Sequence, residues 1–327
     1  MKHSVLIVVA PFGFGPASKA LIIGAALSDI AQVCFSADGD ACGFIERHKL
    51  PGAKCVKGRF SAAFSDHRVL RQFDLIISVN HDPAIHHLAT LGLAERAVFV
   101  DSLFVWRADS EPKALPRGLS AYLIQDYPGA AAMMGLCKAE KIALTAPFIW
   151  PQSVGANARP RSGITLHLGG MVSPLATWES LAPVVLHIAR QVGELAFRCG
   201  QKLTIIGSAR LRELPLPGEA VSVLGDVSPA ESAQLIASSG LLVSTPGIGA
   251  VYEAISCGTP VVLLAAMNST QLHHYSVLTK HGIQGAVHPE LMSRLFAAAA
   301  KTGWEQQTRL CLRVLQDFPK QILSQLP

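Results

Sequence analysis

The chain has 327 residues, 50% of them apolar and 16% charged, and a formal net charge of +5. That length exceeds one ordinary core and suits two domains of roughly 150 residues each, while the apolar surplus fits strands buried on both faces. The apolar runs fall far short of the ~20 residues of a membrane span, and the basic residues form no aromatic-interleaved stripe, which argues against a nucleic-acid partner.

In chain order the pattern is strand, turn, helix, repeated. Val5 to Ala10 reads as a buried strand, broken by Pro11, Gly13 and Gly15, with a helix expected from Ser18 to about Leu27. Lys2 and His3 precede that run, but Pro11 ends it without a convincing cleavage site, so no signal peptide is expected. Further strands are expected at Val33 to Phe35, Leu75 to Val79, Ala97 to Val100 and Tyr122 to Ile124, with helices at Asp66 to Gln72 and Pro83 to Leu91. A stretch rich in proline and glycine, Pro147 to Gly163, then reads as a linker. The alternation restarts with Ile164 to Leu168, Leu203 to Ile206, Val221 to Leu224, Leu241 to Ser244 and Val261 to Leu264. Ser228-Pro229-Ala230-Glu231 is a capping box with proline at the first helical position. The last segment, Trp304 to Leu326, reads as one or two helices interrupted at Pro319. Strands alternating with helices imply doubly wound parallel sheets. The expected domains are 1–150, 151–303, and a C-terminal helical segment, 304–327, packing back on the first domain. Seven scattered cysteines without a Cys-x-x-Cys pair read as reduced thiols of a cytoplasmic protein.

In such sheets ligands sit beyond the carboxyl ends of the strands. The second domain carries Gly169-Gly170 and then Ser173 after its first strand, Gly207-Ser208 after its second, and Gly225-Asp226-Val227 after its third. Its fourth loop is Ser244-Thr245-Pro246-Gly247-Ile248-Gly249-Ala250. Small residues there leave the amides of Gly247 to Ala250 open at a helix N-terminus, where four unpaired N–H groups and the helix dipole suit a diphosphate. Glu253 lies about one turn further, within reach of a ribose diol.

This segment, through Glu253 and Ala254 to Gly258-Thr259-Pro260-Val261-Val262 and Gln271, resembles the donor-binding signature of GT-B glycosyltransferases. It is similar in style to the lipid II-forming N-acetylglucosaminyltransferase and the UDP-sugar transferases of antibiotic pathways. The resemblance implies two Rossmann-like domains facing a central cleft, the N-terminal one binding the acceptor and the C-terminal one a nucleotide sugar. It implies phosphate roles for Thr245, Gly247, Ile248 and Gly249, ribose for Glu253, and sugar contacts for Gln271 and Asn268. Gly169 and Gly170 match the family's glycine pair, and Val227 sits where the nucleobase meets backbone groups. Thr270 stands where many members carry an acid, which leaves the identity of the sugar open.

Many such transferases place a catalytic histidine in the first glycine-rich loop, but Pro11 to Ser18 contains none. A general base must come from elsewhere. Asp101, ending the strand Ala97 to Val100, is the first candidate, and His81, beside Asp82, is the second; a cap and a turn are the competing structural readings. Gly13, Phe14, Gly15, Phe104 and Trp106 are candidate acceptor contacts, with Tyr127 near them. Asp38-Gly39-Asp40 reads as a turn rather than a metal site, and His167 as a satisfied core residue; His273 and His274 stand beside Gln271.

The expected activity is transfer of a sugar from a UDP-sugar to a small acceptor, inverting and metal-independent. No cofactor is expected beyond the UDP-sugar as co-substrate, and the chain could pair as a homodimer. The alternatives are a nucleotide-sugar hydrolase or epimerase on the same fold, and a non-catalytic helper subunit.

Overall fold

The computed structural model describes residues 2–11, 13–64, 66–102, 115–134, 140–151, 160–170, 175–216, 220–300 and 302–317. Contacts divide the chain into two compact units, Met1–Phe148 and Ile149–Pro327.

In the first unit seven parallel strands are ordered β3-β2-β1-β4-β5-β6-β7. They are β1 (His3–Val9), β2 (Ala31–Ala37), β3 (Lys54–Lys57), β4 (Leu75–Val79), β5 (Ala97–Asp101), β6 (Ala121–Gln125) and β7 (Ile142–Thr145). Alternate residues face opposite sides. Val5, Ile7 and Val9 join Ile77, Val79 and Val100 in one core, with Ala17, Ala20 and Leu21 of helix α1 (Phe14–Leu27) and Phe44 and Ile45 of α2 (Gly39–His48). Burying each large aliphatic side chain stabilises by roughly 1.5–3 kcal/mol. Gly24 is what lets α1 approach β2, since a Cβ there would meet Phe35 Cζ at 2.8 Å. Between β3 and β4 lie two short turns of helix, α3 (Phe60–Ala63) and α4 (His67–Leu70), and α5 (Asp82–Thr90) follows β4. The short helix α6 (Ala130–Met134) follows β6.

The second unit has six parallel strands ordered β10-β9-β8-β11-β12-β13. They are β8 (Ile164–His167), β9 (Leu203–Ile206), β10 (Val221–Gly225), β11 (Leu241–Ser244), β12 (Val261–Leu263) and β13 (Gln284–Gly285). Its helices are α7 (Trp178–Arg198), α8 (Pro229–Ser238), α9 (Ile248–Cys257), α10 (Ser269–Lys280), α11 (Pro289–Ala299) and α12 (Trp304–Asp317). Ser228 caps α8 with both arms of the capping box made. Helix α12 packs against α7, α10 and α11 of its own unit; residues 318–327, including Pro319, lie outside those described.

Both sheets are doubly wound. The strand order reverses at β1/β4 in the first unit and at β8/β11 in the second, and ligand crevices in open α/β sheets form at such reversals.

Candidate functional site

At the second reversal, β8 and β11 run side by side, with His167 in register with Ser244. Thr245 N donates to His167 O at 3.1 Å, which ties the loop after β11 to the end of β8. Gly169 takes φ +67°, a left-handed conformation that favours glycine, and a Cβ on it would lie 3.8 Å from Thr245 Oγ1. Gly207 packs directly beneath: a Cβ there would meet Gly169 O at 2.7 Å and Leu211 Cδ1 at 2.9 Å. Gly207 N in turn donates to Gly225 O at 2.9 Å. Gly169, Gly207, Gly225 and Thr245, chosen from four separate loops, are thus linked at one sheet edge.

Helix α9 starts at the same edge. Gly247 is its N-cap, without a side-chain cap, and its first turn has no acidic residue. One expectation is corrected here. Gly247 N is not open, because it donates to Thr245 O at 2.6 Å in a tight turn. The amides of Ile248, Gly249 and Ala250 have no acceptor among the described residues, and a Cβ on Gly249 would meet nothing within 4 Å. The other end is better served. Gly258 closes it in the left-handed conformation, and the Arg161 guanidinium donates to the carbonyls of Cys257 and Gly258. A helix satisfied at its carbonyl end and open at its amide end offers donors and positive potential to an anion.

Glu253 lies in the second turn of α9 and is 5% exposed. Val227 directly precedes the α8 cap, and Ser208 Oγ accepts from Arg210 N at 3.4 Å, opening a short helix over Ala209–Glu213. Asn268 and Gln271 have local duties that glycine-pattern reasoning did not show. Asn268 Oδ1 caps α10 by accepting from Gln271 N, and Gln271 Oε1 accepts from Met267 N, both at 2.9 Å. Gly170 is buried beside Gly169, and Ser173 lies outside the described residues.

In the first unit the reversal brings the loop after β1 near the loop after β4. Gly13, with φ 79°, is the uncapped N-cap of α1, and Gly15 follows within its first turn. Lys19, 6% exposed, extends back along α1 to bring Nζ within 3.9 Å of a Cβ at Gly15. Phe14 stacks on Phe44 with centroids 4.4 Å apart, so its ring packs α1 against α2. His81 is the N-cap of α5, its Nδ1 accepting from Ala84 N at 3.0 Å. Burial pushes its pKa below the ordinary value, against the pull of Asp82 and Asp38. With Nδ1 accepting, the neutral ring carries its proton on Nε2, so that nitrogen donates. Asp101 is 1% exposed and its Oδ2 takes the Tyr122 hydroxyl at 2.7 Å. Next to it, Asn80, at φ 54°, exchanges two 2.8 Å hydrogen bonds with Ser102. Phe104 and Trp106 lie outside the described residues; Tyr127 is 3% exposed. Asp38 accepts from Gly39 N and starts α2, so Asp38-Gly39-Asp40 is a helix start. Among the described residues no group of three His, Cys, Asp or Glu could hold a metal ion, and no helix is long and apolar enough to cross a membrane.

Gln125, at the end of β6, is 0% exposed and neither its amide nitrogen nor its oxygen has a partner among the described residues. His167, expected to be satisfied, has an enclosed Nδ1 without a partner among the described residues, and burial pushes its pKa down to about 4. The signal available in sequence was a polar residue closing an apolar strand, as in Ala-Tyr-Leu-Ile-Gln125 and Ile-Thr-Leu-His167.

No protein-family model matches the sequence, and no curated protein matches it. Solved structures do match. Arabidopsis thaliana UGT89C1, complexed with quercetin, aligns with a TM-score of 0.56 at 11% identity over 97% of this chain and 94% of that one. The glycotransferase of kitacinnamycin aligns at 0.52 and 15% identity over 100% of both chains. TcCGT1, in complex with UDP, aligns at 0.55 and 12% over 99% of this chain and 93% of that one. At such identities the likeness speaks to architecture, and it spans both units. The chain has the GT-B fold, two parallel-sheet α/β units, that these glycosyltransferases share.

Proposed function

We propose that this protein is a glycosyltransferase that moves a sugar from a UDP-sugar to a small-molecule acceptor, with inversion and without a metal ion. The observation that carries the reading is the open amide end of α9 at the second sheet's reversal, with Glu253 in the following turn. In sugar transfer, negative charge develops on the departing diphosphate. Preorganised amides aimed at that charge are worth most where water is excluded. Ile248, Gly249 and Ala250 supply three such donors, and the Thr245 hydroxyl faces Gly169 at the same sheet edge. Structures sharing the fold include complexes with UDP, UDP-L-rhamnose and UDP-2fluoro-glucose, which supports the choice of donor. One of these also holds pterostilbene and another structure holds quercetin, which supports a small hydroxylated acceptor. Asp101 and His81 are the first unit's candidates for handling the acceptor proton; the His81 tautomer suits orienting a hydroxyl from Nε2.

Calorimetry with UDP tests the donor site. Wild-type protein is expected to bind, and Glu253→Ala to bind at least tenfold more weakly, about 1.4 kcal/mol. Unchanged affinity in Glu253→Ala removes the ribose role, and a wild-type chain that ignores UDP removes the whole reading. Product configuration at the anomeric carbon, read by NMR, tests inversion, and turnover of a UDP-sugar without any acceptor would favour a hydrolase instead.

A further inference from the structure

Strand β8 ends on a histidine whose Nδ1 has no hydrogen-bond partner among the described residues. The ring's place is specific. His167 is in register with Ile206 on one side and Ser244 on the other, so the three side chains share a sheet face. Two residues earlier on that face, Thr165 meets Ser239 at the end of α8, and Leu242 packs with Ala250 and Ala254 of α9. The His167 ring therefore lies on the face that α9 covers, at the strand end where α9 begins. Its own carbonyl holds Thr245 N, and Gly169 is two residues on.

The described loops at the same edge lack positive side chains. Among the described residues, the segments 168–170, 207–208, 225–228, 245–247 and 264–268 contain no lysine or arginine. The two arginines of the short helix after β9 are engaged, Arg210 with Glu179, Glu213 and the Trp178 ring, and Arg212 with Leu224 O. From the described residues of these loops a diphosphate at α9 would meet amides and a dipole but no lysine or arginine.

We propose that His167 is the basic side chain of the donor site, its imidazole hydrogen-bonding the diphosphate from the strand side while the amides of Ile248 to Ala250 bind it from the helix side. This rests on the reading of α9 as the diphosphate site. Rotation about Cβ–Cγ, a soft torsion in histidine, re-aims Nδ1 without moving the backbone. The neutral ring of the ligand-free chain gains a reason to hold a second proton once an anion lies against it.

The test uses UDP and uridine with the full chain. His167→Phe is expected to bind UDP at least tenfold more weakly than wild type, His167→Asn, which keeps a donor near the Nδ1 position, to recover part of the loss, and circular dichroism to show all three folded. In the wild type the His167 ring nitrogen resonances are expected to move with UDP and to stay with uridine, a readout that holds even if a variant fails to fold. UDP affinity unchanged in His167→Phe, or ring resonances unmoved by bound UDP, overturns the assignment and leaves the function standing. A wild-type chain that binds no UDP overturns both.

Discussion

Tyr122 donates its hydroxyl to Asp101 at 2.7 Å, and both residues are buried on one face of the first sheet. The register places Phe99 beside Tyr122 and Asp101 beside Ile124, so the phenol reaches diagonally across neighbouring strands. A hydrogen bond to a buried carboxylate is worth about 1.5–3 kcal/mol. Tyr122→Phe is therefore expected to cost that much in urea denaturation. Asp101→Asn separates support from chemistry. If the carboxylate only braces Tyr122, sugar transfer per folded molecule stays near wild type; if it accepts the acceptor's proton, kcat falls by about a hundredfold or more.

The pH dependence of stability follows from His167. Its folded pKa, about 4, lies below its ordinary 6.5. A group depressed in this way lends stability above its unfolded pKa, and that stability drains away as pH falls towards the folded value. The window is thus pH 6.5 down to about 4. The loss across it is at most about 3 kcal/mol, less in proportion to the ring's partial exposure. His81, depressed by burial as well, acts with the same sign. Thermal melts across that range are expected to show Tm falling with acid, and falling less steeply in His167→Phe. An equal slope in both proteins would show that other groups carry the acid sensitivity.

Much of this architecture could be read without coordinates, for a physical reason. Strands such as Val5 to Val9 and Leu241 to Ser244 are buried on both faces, so their sequences are unbroken apolar runs. β3 escaped because it is an edge strand, Lys-Cys-Val-Lys, with only two apolar residues, both half-buried between exposed lysines. α2 escaped because Asp38-Gly39-Asp40 has turn chemistry, and only the structure shows Asp38 capping a helix. The open end of α9 was legible in its small residues, whereas the diversion of Gly247 N to Thr245 O depends on a turn that no spacing announces. The solitary states of Gln125 and His167 are tertiary properties: a polar residue at a strand end is visible, but its lack of partners is not.

Gln125 gives a prediction of opposite sign. A buried donor and acceptor left unmade cost about 1–3 kcal/mol, and Gln125 carries both in a position 0% exposed. Gln125→Met keeps length and volume while removing the amide, so stability is expected to rise by about that amount in chemical denaturation. A loss of stability instead would mean that an internal water already satisfies the amide.

Gly207 joins the frame of the second unit to its candidate site. A Cβ at this position would meet Gly169 O at 2.7 Å and Leu211 Cδ1 at 2.9 Å. The first of these atoms is backbone, so Gly207→Ala cannot be absorbed by turning a side chain. Either the Gly169 carbonyl moves, taking with it the glycine that faces Thr245 Oγ1, or β9 withdraws from β8. Overpacking of this kind costs typically about 1–3 kcal/mol, which the folded unit can survive. The proposed donor loops are less tolerant, since a diphosphate bound there would need amides and hydroxyl to keep their geometry. Gly207→Ala is expected to lower Tm modestly and UDP affinity by about tenfold, whereas Gly200→Ala, at a left-handed glycine with open space around it, is expected to lower Tm alone. Equal UDP binding in the two variants would show that the Gly169 turn does not shape the donor site.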